Sequence, residues 1–296
     1  MTHFNERVSQ TIDQLNQGNI QAMASELTRK RMSWLDEALP GLGEFEKFTP
    51  RQAFELLFFE HMRLKKAELP VISESEKEIV WLSYNRCSLL EACLVLEMDT
   101  RNVCRAVNEK ATQAFLSRVN PELRFHRSYE EIRPDYEFCR EKIVRLDFNH
   151  YMRLAIQEAQ RSRDNGNKGY GAVVVYDDHI IGQAFDTAIT ARDPSLHAEV
   201  NAIRQAVKTK KDDDLCGAVL FSTCEPCPMC SSLAVWANIT TIVYGVSIAE
   251  TARLGKSRIE VSAEHIIENS PVFVEVVSNI LSNECRKLYL EQSIAS

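Results

Sequence analysis

The sequence predicts an α/β fold: a mixed sheet sandwiched between helices over residues 147–296, preceded by a mostly helical α+β domain over residues 1–146. Three observations lead there. In the second half, short runs of strand formers alternate with stretches of helical periodicity, and strands joined by helical crossovers build a sheet covered on both faces. In the first half, apolar residues recur at three- and four-residue spacing and extended runs are few. A length of 296 residues also exceeds one typical domain and suggests two, each large enough to bury a core.

Taken in order, Met23, Leu27, Met32 and Leu35, then Phe54, Leu57 and Phe58, mark helical stripes. Leu39-Pro40-Gly41-Leu42-Gly43 breaks the pattern. Thr49-Pro50 opens the next helix, with Thr49 as cap and Pro50 at the first helical position, where its missing N–H costs nothing. The run from Glu78 to Tyr84 is rich in strand formers, and Leu123-Arg124-Phe125-His126 is a weaker second strand. Between them, Leu89 to Leu96 and Asp99 to Val119 read as helices. A short helix from Asp135 to Leu146 is expected to link the two halves, just after Arg133-Pro134. There is no internal repeat and no low-complexity segment.

The second half reads as helix Phe148 to Arg163, strand Gly171 to Tyr176, a turn at Asp177-Asp178, and strand His179 to Phe185. Helix His197 to Val207, strand Ala218 to Ser222, helix Cys227 to Ala237 and strand Thr241 to Tyr244 follow, and a helix near Ile280 to Glu291 closes the series.

Composition narrows the function classes. The 45% hydrophobic and 26% charged content is that of an ordinary soluble globular protein. No apolar run is long enough for a membrane span, and Met-Thr-His-Phe-Asn-Glu-Arg at the start has no apolar signal core, so a cytoplasmic protein is expected. Nine cysteines, an odd number without a secretion signal, argue for reduced thiols and metal ligation. The net charge of -7 divides into about -2 for residues 1–146 and about -5 for the rest, which offers a phosphate backbone no electrostatic footprint. A small neutral substrate fits better than nucleic acid.

The chemistry concentrates in Leu196-His197-Ala198-Glu199, read with Thr223-Cys224-Glu225-Pro226-Cys227-Pro228-Met229-Cys230. His197, Cys227 and Cys230 supply three ligands for Zn²⁺, and a catalytic zinc keeps its fourth position for water. Cys227 and Cys230, three apart, share one face at a helix start, and His197 and Glu199 are expected in the first turn of another helix. Two helix amino termini then favour thiolates at one place. The metal can lower the pKa of its water toward about 7. Glu199, beside a ligand without being one, is placed to take the proton and pass it to a leaving amine. His-x-Glu followed by Pro-Cys-x-x-Cys is an established signature of zinc base deaminases.

From about Asp147 onward, the chain resembles the cytidine and deoxycytidylate deaminase superfamily, in the branch of bacterial guanine deaminases and tRNA adenosine deaminases. The segments that carry the resemblance are Gly171-Ala172-Val173-Val174-Val175, Asp193 to Ile203, and Cys224 to Cys230. It implies a three-layer α/β/α sandwich of the cytidine deaminase type, zinc on His197, Cys227 and Cys230, Glu199 as proton shuttle, and a homodimer. It also places Asp186, Ala198 and Trp236 at the substrate, although a large aromatic such as Trp236 equally suits a core. Two departures stand out. Asp186 occupies the position of a family asparagine, eleven residues before the zinc histidine, and an ionised Asp only accepts hydrogen bonds, so the ring should present an N–H or NH₂ there. Ser257-Arg258 lies where guanine deaminases carry an acidic residue.

The expected protein is thus a zinc-dependent aminohydrolase acting on a small nitrogen heterocycle, with water adding to the amino-bearing carbon, ammonia leaving, and the Cys227 amide helping at the tetrahedral centre. A tRNA adenosine deaminase, or a non-catalytic interaction protein on the same scaffold, are the alternatives; the retained Glu199 argues against the scaffold. In the first domain, Cys87, Cys93, Cys104 and Cys139 fit no metal spacing and read as buried thiols. Arg101, Arg105, Arg124, His126 and Arg127 read as solvated faces, with anion binding as the alternative. For this domain, capping the pocket, mediating assembly and carrying a second activity are the three alternatives.

Overall fold

The computed structural model describes residues 2–41, 47–270, 272 and 274–290. The chain divides into two compact units, Met1–Leu146 and Asp147–Ser296. Among the described residues no helix is long and apolar enough to cross a membrane.

The first unit begins with helices α1 (Thr2–Asn16), α2 (Ile20–Ala38) and α3 (Pro50–Phe54). A 3-10 turn at Leu39–Gly41 ends α2; Leu42 and Gly43 of the expected break lie outside the described residues. Thr49 caps α3 reciprocally with Gln52: its hydroxyl accepts from the Gln52 N–H at 3.2 Å, and Gln52 Oε1 accepts from the Thr49 N–H at 2.9 Å. The helix runs on as a π-helical segment, Glu55–His61. Strands β1 (Val71–Glu74) and β2 (Glu78–Ser83), then helices α4 (Ser88–Val95) and α5 (Thr100–Cys104), come next. A second π-helical segment, Arg105–Glu109, joins α5 to α6 (Lys110–Val119), before β3 (Leu123–Arg127) and β4 (Cys139–Arg145).

The four strands form an antiparallel sheet in the order β1-β2-β4-β3. The expected linking helix over Asp135 to Leu146 is therefore wrong. Those residues hold β4, paired on both sides: Ile143 lies opposite Ile79 of β2 and Phe125 of β3. Burial alternates with period two, Cys139, Glu141 and Ile143 inward and Arg140 outward, and two flanking ladders outweigh any local helical preference. The unpredicted β1 is an edge strand with a mostly exposed surface, so its sequence carries no apolar alternation. Trp81, Phe54, Phe115, Phe125 and Ile143 pack together between sheet and helices.

The second unit contains α7 (Phe148–Asp164), β5 (Gly171–Tyr176), β6 (His179–Phe185), α8 (Ala188–Ala191), α9 (Ala198–Lys210), β7 (Val219–Cys224) and α10 (Pro228–Trp236). It continues with β8 (Thr241–Val246), α11 (Ile248–Arg253), α12 (Ala263–Glu268), β9 (Glu275–Val277) and α13 (Ser282–Leu290). The sheet order is β6-β5-β7-β8-β9, with β5 antiparallel to both neighbours and β7, β8 and β9 parallel. Residues Ala172, Val174, Leu220, Ile242 and Tyr244 face α9, α10 and α12. On the opposite face Phe221 packs against Phe148 and Tyr151 of α7. The result is a three-layer α/β/α sandwich.

Two glycines let helices reach the sheet. A Cβ on Gly171 would sit 2.0 Å from the Ala155 carbonyl oxygen of α7, and one on Gly182 would sit 2.2 Å from that of Ala202 on α9.

Candidate metal centre

The site forms where β7 ends and α9 and α10 begin. His197, expected in the first turn of its helix, is instead the N-cap residue of α9, and Cys227, expected at a helix start, is the N-cap residue of α10; neither side chain makes a capping hydrogen bond. A cap hydrogen bond is worth about 1 kcal/mol. Both positions forgo it, and their side chains turn toward each other instead. His197 Nδ1, Cys227 Sγ and Cys230 Sγ form a triangle with every side 3.6 Å. Among the described residues this is the sole grouping of three or more His, Cys, Asp or Glu side chains with metal-binding geometry.

The triangle fits zinc. A tetrahedral zinc with bonds of about 2.3 Å to sulfur and about 2.0 Å to nitrogen holds such ligand atoms roughly 3.5 to 3.8 Å apart. Two sulfurs and one imidazole leave the fourth corner open, as hydrolytic zinc requires. Hydrogen bonds with Cys230 and His197 hold the Cys227 thiol down to about 4 against its burial. The bond with Cys227, together with burial, pushes Cys230 well above the usual thiol range, and His197 is raised, first by its hydrogen bond to Cys227.

Glu199 stands in the first turn of α9, 5% exposed. The Ser222 hydroxyl of β7 donates to its Oε1 at 2.9 Å, and Oε2 lies 3.5 Å from Cys230 Sγ, on the ligand side. Burial, then the negative charge of Cys227, raise its pKa. The carboxyl group is thus fixed at one oxygen and faces the metal ligands with the other. Ala198, between the ligand and the carboxylate, is fully buried.

Asp186 follows β6 and is 1% exposed. Its Oδ1 accepts from the Ala188 N–H at 3.1 Å, whereas Oδ2 is buried with no hydrogen-bond partner among the described residues. Its charge is felt by both His197 and Tyr170, which places it beside the cluster. Arg258 donates to the Tyr170 hydroxyl and, at 3.2 Å, to Thr251 Oγ1, and lies over the Tyr170 ring at 4.7 Å. Glu199 lies within its electrostatic reach.

Trp236 is 76% exposed at the carboxyl end of α10, the opposite end from Cys227, so a core role does not hold. Sequence reasoning missed Ser222 and Glu225. Ser222 sits in a uniformly buried strand with no motif around it. Glu225 lies inside the cysteine motif, yet its oxygens accept from the Ile248 N–H at 2.7 Å and the Ala263 N–H at 2.8 Å, clasping both ends of the segment that carries Arg258.

An α/β/α sandwich that presents one His, two Cys and an unligated Glu where β7 ends and α9 and α10 begin has the ligand set of a zinc-dependent hydrolase. Residues 147–246 match the model of the cytidine and deoxycytidylate deaminase zinc-binding region. Over 144 residues, 48% of this chain, it is 33% identical to a tRNA-specific adenosine deaminase of Haemophilus influenzae, covering 81% of that protein. It is 36% identical to a guanine deaminase of Bacillus subtilis over 110 residues, 36% of this chain and 70% of the relative. The solved structure of guanine deaminase from Bacillus subtilis is similar, with 26% identity, a TM-score of 0.37, and coverage of 51% of this chain and 97% of the other. The chain belongs to the cytidine and deoxycytidylate deaminase family, is a deaminase-type hydrolase, and has Zn²⁺ as its cofactor.

Proposed function

We propose that the protein removes an amino group, as ammonia, from a small nitrogen heterocycle. The observation that carries this reading is the buried Glu199 carboxylate, fixed by Ser222 and turned toward the His197, Cys227 and Cys230 triangle. Bound by those three ligands, zinc would polarise a water and lower its pKa toward about 7. Glu199 accepts the proton at Oε2 and returns it to the departing amine, while Ser222 keeps Oε1 from rotating into its place.

Substrate choice is assigned to Asp186 and Arg258. The buried, unpartnered Oδ2 of Asp186 accepts an N–H of the ring, since an unmatched buried carboxylate oxygen is costly. The guanidinium of Arg258 only donates, so the edge it meets carries acceptors. That donor and acceptor order differs from the family pattern of Asn and acid at these two places. Ammonia release from a panel of free bases, nucleosides and amino-substituted rings, with Glu199→Gln as control, tests the activity. Release from one compound, lost in the variant, is expected. Asp186→Asn should lower that rate at least tenfold; equal or higher activity would refute the assigned role.

A second reading, action on tRNA, draws on one surface feature. A recess of about 450 Å³ along the edge strand β6 is lined by Arg161, Arg204 and Lys208 beside Glu158 and Gln183. Salt-sensitive tRNA binding, weakened by Arg204→Ala and Lys208→Ala, would favour it. We assign the protein to the cytoplasm, a reading that the nine free thiols support, and Trp236 to contact with a second copy of the chain.

A further inference from the structure

Within the basic cluster of the first unit, Arg101 lies on a solvated face, its side chain 42% exposed, but Arg124 and Arg127 do not. Arg124 is 2% exposed, with Nη1 donating to the carbonyls of Pro121 and Leu123. Arg127, its side chain 10% exposed, forks onto Glu141 Oε1. The other oxygen of Glu141 accepts from Trp81 Nε1 at 2.8 Å and the Ser83 hydroxyl at 2.5 Å. One buried carboxylate therefore neutralises one buried guanidinium.

A further guanidinium stands beside this pair with no carboxylate hydrogen-bonded to it among the described residues. Arg31 of α2 is 5% exposed, and its Nη1 donates to the neutral Thr112 hydroxyl at 2.7 Å. Its Nε is buried with no acceptor among the described residues. Burial and the charge of Arg127 bring Arg31 down to about 10, so it stays cationic at neutral pH. The neighbouring Cys104, which accepts from Arg127, is pushed up to about 12 by burial and contributes no charge. His61 lies within reach of the Arg31 charge, presents a second orphan, a buried Nδ1, and packs at 4.7 Å against Trp34, one turn beyond Arg31.

The backbone points to the same place. Both π-helical segments of the unit adjoin it: one ends at His61, and α2 packs across the other, Arg105–Glu109. Such segments are rare and are frequently found at functional sites. A buried guanidinium without a carboxylate is unfavourable unless another anion offsets it.

We propose that the interior of the first unit binds a small oxyanion, a phosphate or carboxylate group, through Arg31, with Thr112 and His61 beside it. The test uses the full-length, zinc-loaded protein. Its thermal midpoint is followed while inorganic phosphate or, separately, malonate is titrated against sodium chloride of equal ionic strength. At saturation a rise of about 5 °C is expected for at least one anion. A response to phosphate alone assigns a phosphoryl group, a response to malonate alone assigns a carboxylate, and both together support the shared oxyanion chemistry. Arg31→Met should abolish the response. Arg31→Lys keeps the charge and loses the fork, and should bind at least tenfold more weakly in calorimetric titration. No rise beyond chloride, a response retained in Arg31→Met, or unchanged affinity in Arg31→Lys overturns the proposal.

Discussion

Ser222 and Glu199 form a pair in which each explains the other. A carboxylate 5% exposed, with one oxygen taken by a hydroxyl, has one productive orientation instead of several. Glu199→Gln keeps the shape and removes the proton acceptor; the turnover rate should fall by about 10³-fold or more, with zinc content unchanged by metal analysis. Ser222→Ala leaves the carboxylate in place but frees it to rotate, and about a tenfold loss in kcat with little change in KM is expected from steady-state kinetics. The ligands and Glu199 were legible in the sequence because each sits at a fixed spacing in a short motif. Ser222 was not, because its partner lies 23 residues away and only the fold makes them neighbours.

At the scale of elements, close contact between helices and sheet depends on missing side chains. Gly171→Ala would drive a methyl group into the α7 backbone, 2.0 Å from an oxygen, and should cost about 3 kcal/mol in denaturant unfolding. Strands β5, β7 and β8 were visible in the sequence as buried apolar runs. β4 was not, and the reason is chemical. Its inward position 141 is a glutamate whose burial depends on Trp81, Ser83 and Arg127 from other strands, so the alternation that marks a strand is disguised as a charged Arg-Glu-Lys run. A buried charge is readable only once its partners are known.

Across the whole molecule the nine thiols fall into distinct classes. All are free. Cys93, Cys104, Cys224 and Cys285 are buried and raised to between about 11 and about 12, whereas Cys227 is held down to about 4. In chelator-treated protein an alkylating reagent at neutral pH should therefore modify Cys227 first, and added zinc should protect it, as peptide mass mapping would show. Trp236→Glu places a charge at the exposed end of α10, and sedimentation should show a smaller assembly with the metal retained.

The clasp made by Glu225 separates what must stay constant from what can vary. Seven consecutive residues, Cys224 to Cys230, carry two metal ligands and also anchor both ends of the following segment through backbone N–H groups, which every sequence except proline supplies. Residues between those anchors supply none of the three metal ligands. A lineage could thus recruit Arg258, or an acid in its place, and change which ring is accepted while inheriting the hydrolytic chemistry intact.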